Sequence, residues 1–247
     1  VVNFIMLKEL LHNKKILTVI LTYNEEKHIR QVINDIQQEY YISDILVIDG
    51  ESKDRTVSIA QELGAWVIDI PANLGIGGAM EMAFLFAKEK KYDYLVRIDG
   101  DGQHIPKHIP KLLLPILQNK ADIIIGSRFK NGWDQYKSSL LRFFAIRFFS
   151  FIISAFIKQK IYDTTSGMFV VNKKVIEYLS GLKNSEYSEV VTYLILKKAN
   201  FNILEVPVSM NQRIGSKSSF TFLKSFYYVS LGIMSLFLTK MTRTNDT

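Results

Sequence analysis

The sequence contains no cysteine. That absence excludes disulfide bonds and thiolate metal ligands, and it favours a reducing compartment. The sequence also lacks internal repeats and low-complexity linkers, so we expect no domain boundary inside its main body. The first residues do not show the ordered basic, apolar and small-residue regions of a secretory signal, and we therefore expect no signal peptide.

Acidic residues are too few to balance the basic ones, which leaves a formal net charge of +7 and a pI of about 9.3. A basic balance suits an anionic partner such as nucleic acid, an anionic membrane surface or a phosphorylated substrate. Hydrophobic residues make up 48% of the sequence, too many for a disordered chain. The length of 247 residues fits one large domain with a small appendage.

Short apolar runs alternate with longer amphipathic segments, a pattern typical of βαβ units and a mostly parallel sheet. We predict strands at residues 15–21, 45–49, 66–70, 94–99 and 122–127. We predict helices at residues 26–38, 54–63, from the glycine-rich segment at 73–79 to about 90, and 106–118. The sequence therefore predicts an α/β fold.

Two acids follow the fourth predicted strand, in the stretch "DGDGQH" that begins at Asp99. Asp99 and Asp101 can aim their carboxylates at one point, where they would repel each other unless a divalent cation lay between them. Oxygen ligands in a chain without cysteine favour Mg²⁺ or Mn²⁺ over zinc. Gln103 could add a neutral oxygen, and His104 a nitrogen that suits Mn²⁺ better than Mg²⁺.

Other predicted strands also end in polar residues, at 22–25, 49 and 127–128. Ligands of open α/β sheets bind beyond the carboxyl ends of the strands, so we expect these side chains to converge on one edge. A protein that binds nucleic acid would account for the net charge but not for these acids, and we therefore predict no nucleic-acid partner.

Two segments of the second half indicate membrane association. Residues 138–158 predict an amphipathic helix in the membrane interface, with phenylalanines at the acyl boundary and Arg or Lys at phosphates; a buried core helix is the alternative. Residues 225–239 form an apolar run that is short for a membrane span, so an interfacial helix competes with a tilted transmembrane one. Its stripe of small residues makes a homo-oligomer or a small membrane partner plausible.

The order and spacing of seven motifs carry a family resemblance: "LTYNEE", "VIDGESKDRT", "NLGIGGA", "RIDGDGQH", "GSRF", "DTTSGMFVV" and "EVPV" followed by an arginine. Together they resemble the inverting family 2 glycosyltransferases of GT-A fold, and among these the polyprenyl-phosphate sugar transferases of the dolichol-phosphate mannose synthase type. The resemblance implies a Rossmann-like, mostly parallel sheet with helices on both faces over residues 1–217. Residues 218–247 would form a membrane-associated C-terminal helix.

The resemblance also implies roles for residues on the donor side. Thr22, Tyr23 and Glu25 would line the nucleobase and ribose pocket, and Asp49 would recognise the base or the ribose. The acid pair would hold Mg²⁺ or Mn²⁺ across the diphosphate of a UDP- or GDP-linked sugar, together with the Gln103 amide; the implied metal ligands are Asp99, Asp101 and Gln103.

The resemblance implies four further site residues. Arg128 would face phosphate oxygens, and Asp163 would lie near the transferred sugar or the acceptor. Arg213 and Lys217 would belong to a cationic loop that clamps the departing diphosphate.

Several positions depart from the family pattern. Gly50 replaces a second acid and Glu51 occupies a usual glycine, which affects both the turn and the second nucleobase contact. Met168 stands where phenylalanine is typical, and Gly215 falls one place early.

The functional hypotheses differ in the group that accepts the sugar, and one of them involves no transfer. A polyprenyl phosphate at the cytoplasmic membrane face is already ionised near neutral pH and needs cationic positioning, for which Arg128, Arg142 and Arg147 are candidates. A saccharide hydroxyl in surface polysaccharide assembly needs a base to take its proton, and Glu186 and Glu189 are the candidates unless they only begin a helix. A membrane-bound nucleotide-binding scaffold without turnover is the non-enzymatic alternative.

Overall fold

The computed structural model describes residues 4–39, 43–72, 74–130, 140–182 and 189–211. Apolar, β-branched runs form the strands, which alternate with helices along the chain. The strands are β1 (Ile16–Thr22), β2 (Asp44–Asp49), β3 (Trp66–Asp69), β4 (Tyr94–Asp99), β5 (Ile123–Ser127), β6 (Phe169–Asn172) and β7 (Ile203–Pro207).

Amphipathic segments between the strands form the helices. They are α1 (Phe4–Leu11), α2 (Ile29–Gln37), α3 (Thr56–Glu62), α4 (Gly75–Glu89), α5 (Ile109–Leu117), α6 (Leu140–Ile157), α7 (Lys173–Ser180) and α8 (Glu189–Lys198). A short 3₁₀ turn, Pro106–His108, leads into α5.

The described strands form one sheet in the order β3-β2-β1-β4-β6-β5-β7. Neighbours pair in parallel, except that β6 runs antiparallel to both β4 and β5. In the register of the sheet, Thr22 is opposite Asp49 and Leu21 is opposite Asp99. The carboxyl ends of β1, β2 and β4 therefore lie side by side, which places the first polar loops at one edge.

Apolar side chains on both faces of the sheet are buried beneath helices. Leu17 and Val19 of β1 contribute to one core, together with Ala83 and Phe84 of α4. The alternate residues of β1 belong to a second core on the other face, where Ile20 packs with apolar side chains of α2 and α5. Because successive side chains of a strand point to opposite faces, a run of buried apolar residues indicates a sheet covered on both sides.

The structure confirms the predicted α/β architecture, its mostly parallel sheet and its helices on both faces. Predicted boundaries differ by a few residues; for example, the helix predicted from 26 begins at Ile29, since the carbonyl of Glu25 accepts the N–H groups of His28 and Ile29 in a preceding turn. The division into residues 1–217 and 218–247 stays a prediction.

Helix α6 occupies the segment for which the sequence predicts an amphipathic helix at 138–158. The predicted C-terminal helix at 218–247 lies outside the described residues, and so do Arg213 and Lys217. None of the described helices has the length and hydropathy needed to cross a membrane.

The core predicts a measurable difference between two leucines. Leu46 of β2 is fully buried, whereas Leu85 of α4 is 44% exposed. Leu46→Ala should lower the free energy of unfolding by about 2–5 kcal/mol, because it leaves a cavity in close-packed surroundings. Leu85→Ala should change it by no more than about 0.5 kcal/mol. Urea denaturation followed by circular dichroism measures both values; equal losses would contradict this assignment of the core.

Candidate functional site

The first part of the site is the junction between β1 and β2. The fully buried carboxylate of Asp49 accepts hydrogen bonds from the Thr22 hydroxyl at 2.8 Å and from the N–H and hydroxyl of Ser52 at 2.7 and 2.6 Å. These bonds close the turn after β2. The carboxylate has no exposed surface in this arrangement, and its predicted role in recognising a base or ribose stays a prediction.

The loop after β1 carries two of the predicted pocket residues. Tyr23 is exposed, and its ring is accessible for stacking or polar contact. Glu25 is buried, and its Oε2 lies 2.9 Å from Nδ1 of His28. The His28 ring in turn lies beside Gly102 of the acidic loop, within 3.9 Å of the position a Cβ would take there. The predicted donor pocket and the acid pair are therefore neighbours, joined by a histidine that the sequence pattern did not single out.

Two glycines shape the acidic loop that runs from Asp99 to His104: Gly100 lies between the two acids, and Gly102 follows them. A Cβ on Gly100 would lie 2.6 Å from Cγ2 of Thr22, so glycine is required for the end of β4 to pass β1. Gly102 has a φ of 73°, in the left-handed region that glycine adopts without strain. The Asp101 carboxylate accepts the backbone N–H of Gln103 at 3.0 Å, which closes a tight turn.

The carboxylate of Asp99 is held from the interior of the sheet. Its Oδ1 lies 3.2 Å from Nη2 of Arg97, a buried residue of the same strand. The Asp99 side chain is 36% exposed, so the pair joins the core to the outer edge. Gly167, just before β6, lies against both charged groups. The sequence pattern quoted Arg97 within a motif but assigned it no role.

His104 is buried below the acidic loop, and its tautomer follows from its contacts. Burial lowers the pKa of His104 below its ordinary value, against the opposing charges of Asp99 and Asp101, so the ring is neutral near pH 7. The backbone N–H of Asp99 donates to Nδ1 at 2.9 Å, which leaves the ring proton on Nε2. Neither nitrogen then offers a lone pair to a cation, contrary to the expectation of a His104 ligand.

The remaining donor set fits Mg²⁺ or Mn²⁺. The Nε2 of Gln103 donates to the carbonyl of Asn211 at 3.4 Å, so its Oε1 is the atom available as a ligand. Asp99, Asp101 and Gln103 would hold the ion through oxygen atoms alone, which hard cations prefer. Within the described ranges, no group of three or more acidic, histidine or cysteine side chains is arranged to hold a metal. Phosphate oxygens and water would therefore have to complete the coordination of a bound ion.

Arg128 and Asp163, predicted to contact different parts of the substrates, bind each other. Nε and Nη2 of Arg128 each lie 2.7 Å from an oxygen of the fully buried Asp163 carboxylate, and Nη2 also donates to the Thr165 hydroxyl at 2.7 Å. Burial alone would raise the pKa of Asp163, but the charge and hydrogen bonds of Arg128 outweigh burial and lower it. The structure therefore places Asp163 in a buried ion pair, and its predicted place near the transferred sugar or the acceptor stays a prediction.

Glu205 of β7 holds the backbone that carries Asp163 of this ion pair. Its buried carboxylate accepts the backbone N–H groups of Tyr162 and Asp163 at 2.9 and 2.8 Å. Burial raises the pKa of Glu205, although these two donors oppose the shift. The only sequence signal for this residue was its place in the "EVPV" motif, which by itself does not tell a supporting acid from a substrate-binding one.

The segment after β7 is attached to the acidic loop. The backbone N–H of Asn211 donates to the carbonyl of Gln103 at 2.9 Å, and its side-chain amide donates to the carbonyl of Gly102 at 3.1 Å. Farther back, Nε2 of His108 lies 2.7 Å from the Ser209 hydroxyl. The chain that continues towards Arg213 and Lys217 therefore leaves the described region beside the acid pair.

The sequences of several named proteins match most of this chain. The family model described as Glycosyl transferase family 2 matches residues 18–179. A UDP-N-acetylglucosamine–dolichyl-phosphate N-acetylglucosaminyltransferase from Methanococcus voltae is 32% identical over 215 residues, which cover 79% of this chain and 85% of that protein. A dolichol-phosphate mannosyltransferase from Pyrococcus furiosus is 30% identical over 232 residues, or 86% of this chain and 63% of that protein.

Solved structures share the fold. Glucosyl-3-phosphoglycerate synthase from Mycobacterium tuberculosis, in complex with Mn²⁺, UDP and glucosyl-3-phosphoglycerate, matches with a TM-score of 0.69 and 18% identity over 95% of this chain and 82% of that one. The sheet and its polar edge thus define an α/β protein of GT-A type. The chain belongs to glycosyl transferase family 2, and it is a glycosyltransferase, as the motifs predicted.

The buried ion pair predicts a large effect on stability. Asp163→Asn should lower the free energy of unfolding by about 3–5 kcal/mol, because it leaves the Arg128 guanidinium buried without its charge partner. The difference from wild type should shrink as the pH falls below about 4, since a carboxyl with a lowered pKa loses its contribution when it becomes protonated. Urea denaturation at several pH values measures this.

Glu177→Gln is the matched control for this prediction, because Glu177 forms an exposed pair with Lys173 at 4.0 Å. The control should change the free energy of unfolding by less than about 1 kcal/mol. A loss for Asp163→Asn as small as that of the control would show that the buried pair does not stabilise the fold.

Proposed function

We propose that the protein transfers a sugar from a nucleotide donor to a polyprenyl phosphate at the cytoplasmic face of a membrane, with inversion at the anomeric carbon. The observation that carries the proposal is the acid pair of Asp99 and Asp101 at the end of β4, where Gly100 passes directly against Thr22 at the end of β1. Family membership and the names of two relatives, both of which act on dolichyl phosphate by their names, support the choice of acceptor.

The donor side must stabilise a leaving nucleoside diphosphate. A bound Mg²⁺ or Mn²⁺ would supply the positive charge that makes the diphosphate a better leaving group. Asp99, Asp101 and Gln103 would hold that ion, while Tyr23 would pack against the nucleoside. The name of the Methanococcus voltae relative includes a UDP-linked sugar, and UDP is present in the related synthase structure, so UDP-sugars are the first donors to test.

The acceptor side needs no strong base if the nucleophile is a phosphate. A phosphate monoester is largely ionised near pH 7, so its oxygen can attack the anomeric carbon from the side opposite the diphosphate, which inverts the configuration. The catalytic demand is then position and charge. Glu189 is the first described residue of α8, a place where an acid favours the helix start without any role in proton transfer.

A panel assay tests the proposed reaction. Purified protein is incubated with Mn²⁺, a polyprenyl phosphate and radiolabelled UDP-N-acetylglucosamine, UDP-glucose, UDP-galactose, GDP-mannose or GDP-glucose. We expect label from one donor to enter the organic phase, and chelation by EDTA to abolish the transfer. Glu189→Gln should change the rate by less than about threefold, because no proton has to leave the acceptor.

Two other results would contradict this reaction. Label found in a water-soluble saccharide, together with loss of activity in Glu189→Gln, would favour a hydroxyl acceptor. Nucleotide binding without any transfer would favour a scaffold without catalytic activity.

We also propose that α6 binds the membrane surface. Phe148, Phe151 and Phe156 are 57%, 72% and 49% exposed, and they lie on one side of the helix. The opposite side is buried through Ser150 and Ile153, among others. Such an arrangement matches a helix that lies in the interface with its aromatic side at the acyl boundary.

Basic groups and hydrogen bonds connect α6 to the acceptor side. The Ser150 hydroxyl donates to the carbonyl of Tyr162 at 3.1 Å, next to the buried Asp163. Arg147 and Lys160 lie over the Tyr162 ring, 5.9 and 4.8 Å from its centroid. These cations would meet lipid phosphates while the aromatic side enters the bilayer, which would bring a lipid-linked acceptor close to the transfer site.

Vesicle binding tests the role of α6. Phe151→Ser should lower the partition of the protein into phosphatidylglycerol vesicles roughly tenfold, because a buried phenylalanine contributes about 1.5–3 kcal/mol. Leu85→Ser, a change of an exposed apolar residue on α4, is the matched control and should leave the partition unchanged. Co-sedimentation measures both variants. Equal partition of the two variants would rule out α6 as the membrane-binding surface.

A further inference from the structure

We propose that Arg97 and Gly167 are positioning residues for Asp99: the guanidinium holds the carboxylate in a notch that exists because residue 167 has no side chain. This inference depends on the proposed function only in taking a divalent cation as the partner of the acid pair. It assigns a purpose to a charged residue inside the sheet and to a glycine of the "DTTSG" motif.

Arg97 occupies a position that a hydrophobic residue would normally take. It is 2% exposed, and its neighbours in β4, Leu95, Val96 and Ile98, are fully buried apolar residues. Placing a guanidinium there is costly unless it is paired with an anion. Because Arg97 and Asp99 are two residues apart on one strand, their side chains lie on the same face of the sheet, and Nη2 reaches Oδ1 at 3.2 Å.

The geometry around Gly167 completes the notch. A Cβ added to Gly167 would lie 2.9 Å from Oδ2 and 3.2 Å from Oδ1 of Asp99, and 3.1 Å from Nη2 of Arg97. Gly167 is not among the glycines with positive φ, so the backbone there does not require glycine. The space that the missing side chain leaves is therefore the reason for glycine, and that space is filled by the carboxylate and the guanidinium together.

Two rings border the ion pair: one lies against Arg97 and the other near Asp99. Phe169 is opposite Arg97 in the register of β4 and β6, and the centroid of its ring lies 5.7 Å from the guanidinium carbon of Arg97. Nε2 of His104 lies 3.9 Å from Oδ2 of Asp99. Arg97, Gly167 and His104 thus surround the inner part of the Asp99 side chain, of which 36% is exposed.

The test measures Mn²⁺ binding to the protein alone by electron paramagnetic resonance, without nucleotide or acceptor. Gly167→Ala should raise the Kd for Mn²⁺ at least fivefold, because the methyl group displaces the carboxylate. Arg97→Lys should raise it by a similar factor, because an ammonium lacks the planar fork that orients a carboxylate. The double variant should lose less than the product of the two single losses, since both act on the same contact.

Gly126→Ala is the matched control. A Cβ on Gly126, in β5, would lie 3.2 and 3.3 Å from the methyl groups of Val208 and 3.4 Å from Met168, away from the acid pair. Its Kd for Mn²⁺ should stay within twofold of wild type even if its thermal midpoint falls. Circular dichroism at the temperature of the binding assay verifies that each variant is folded.

Folded Gly167→Ala that binds Mn²⁺ within twofold of wild type would overturn the inference, and so would single effects that multiply in the double variant. Should Arg97→Lys not fold, Gly167→Ala decides alone. Because no sugar or acceptor enters this assay, its outcome is independent of the transfer assay. A failed transfer with the expected Mn²⁺ results would count against the proposed reaction and not against the positioning of Asp99.

Discussion

The pairing of carboxylates with buried arginine side chains is the constraint on which this site depends. Asp99 and Asp163 both approach the interior at the edge where substrates of such sheets bind, and each is met by an arginine within hydrogen-bonding distance. Burial alone would raise the pKa of Asp163, and the charge and hydrogen bonds of Arg128 lower it instead. The two arginines therefore hold both carboxylates in place from the protein side.

Much of the architecture was predictable from short-range pattern. Runs of buried apolar residues indicated the parallel strands, and the acids after β4 indicated the edge where polar groups meet. Strand β6 was not predicted, because its four residues carry no periodicity that distinguishes them from a loop and its position between β4 and β5 depends on pairing across a long stretch of sequence. Long-range pairing of this kind leaves no local signal.

The site was predictable in its composition and less so in its contacts. The motifs singled out Thr22, Asp49, Arg128 and Asp163, which the structure joins as two pairs. They did not reveal that Thr22 binds Asp49 or that Arg128 binds Asp163. A polar residue in a motif can bind a substrate or orient another residue, and the sequence pattern is the same in both cases; only the buried partner distinguishes them.

The reversal of β6 brings a distant segment of the chain to the edge that carries the acid pair. Because β6 is antiparallel to β4 and β5, its first residues enter the sheet at the edge where those two strands end. The preceding segment, 163–168, therefore lies at that edge. Substitutions in this segment leave the backbone pairing of β1, β2 and β4 intact. They still reach the acid pair through Gly167, which lies against the Asp99 carboxylate, so this segment and the end of β4 have to change together.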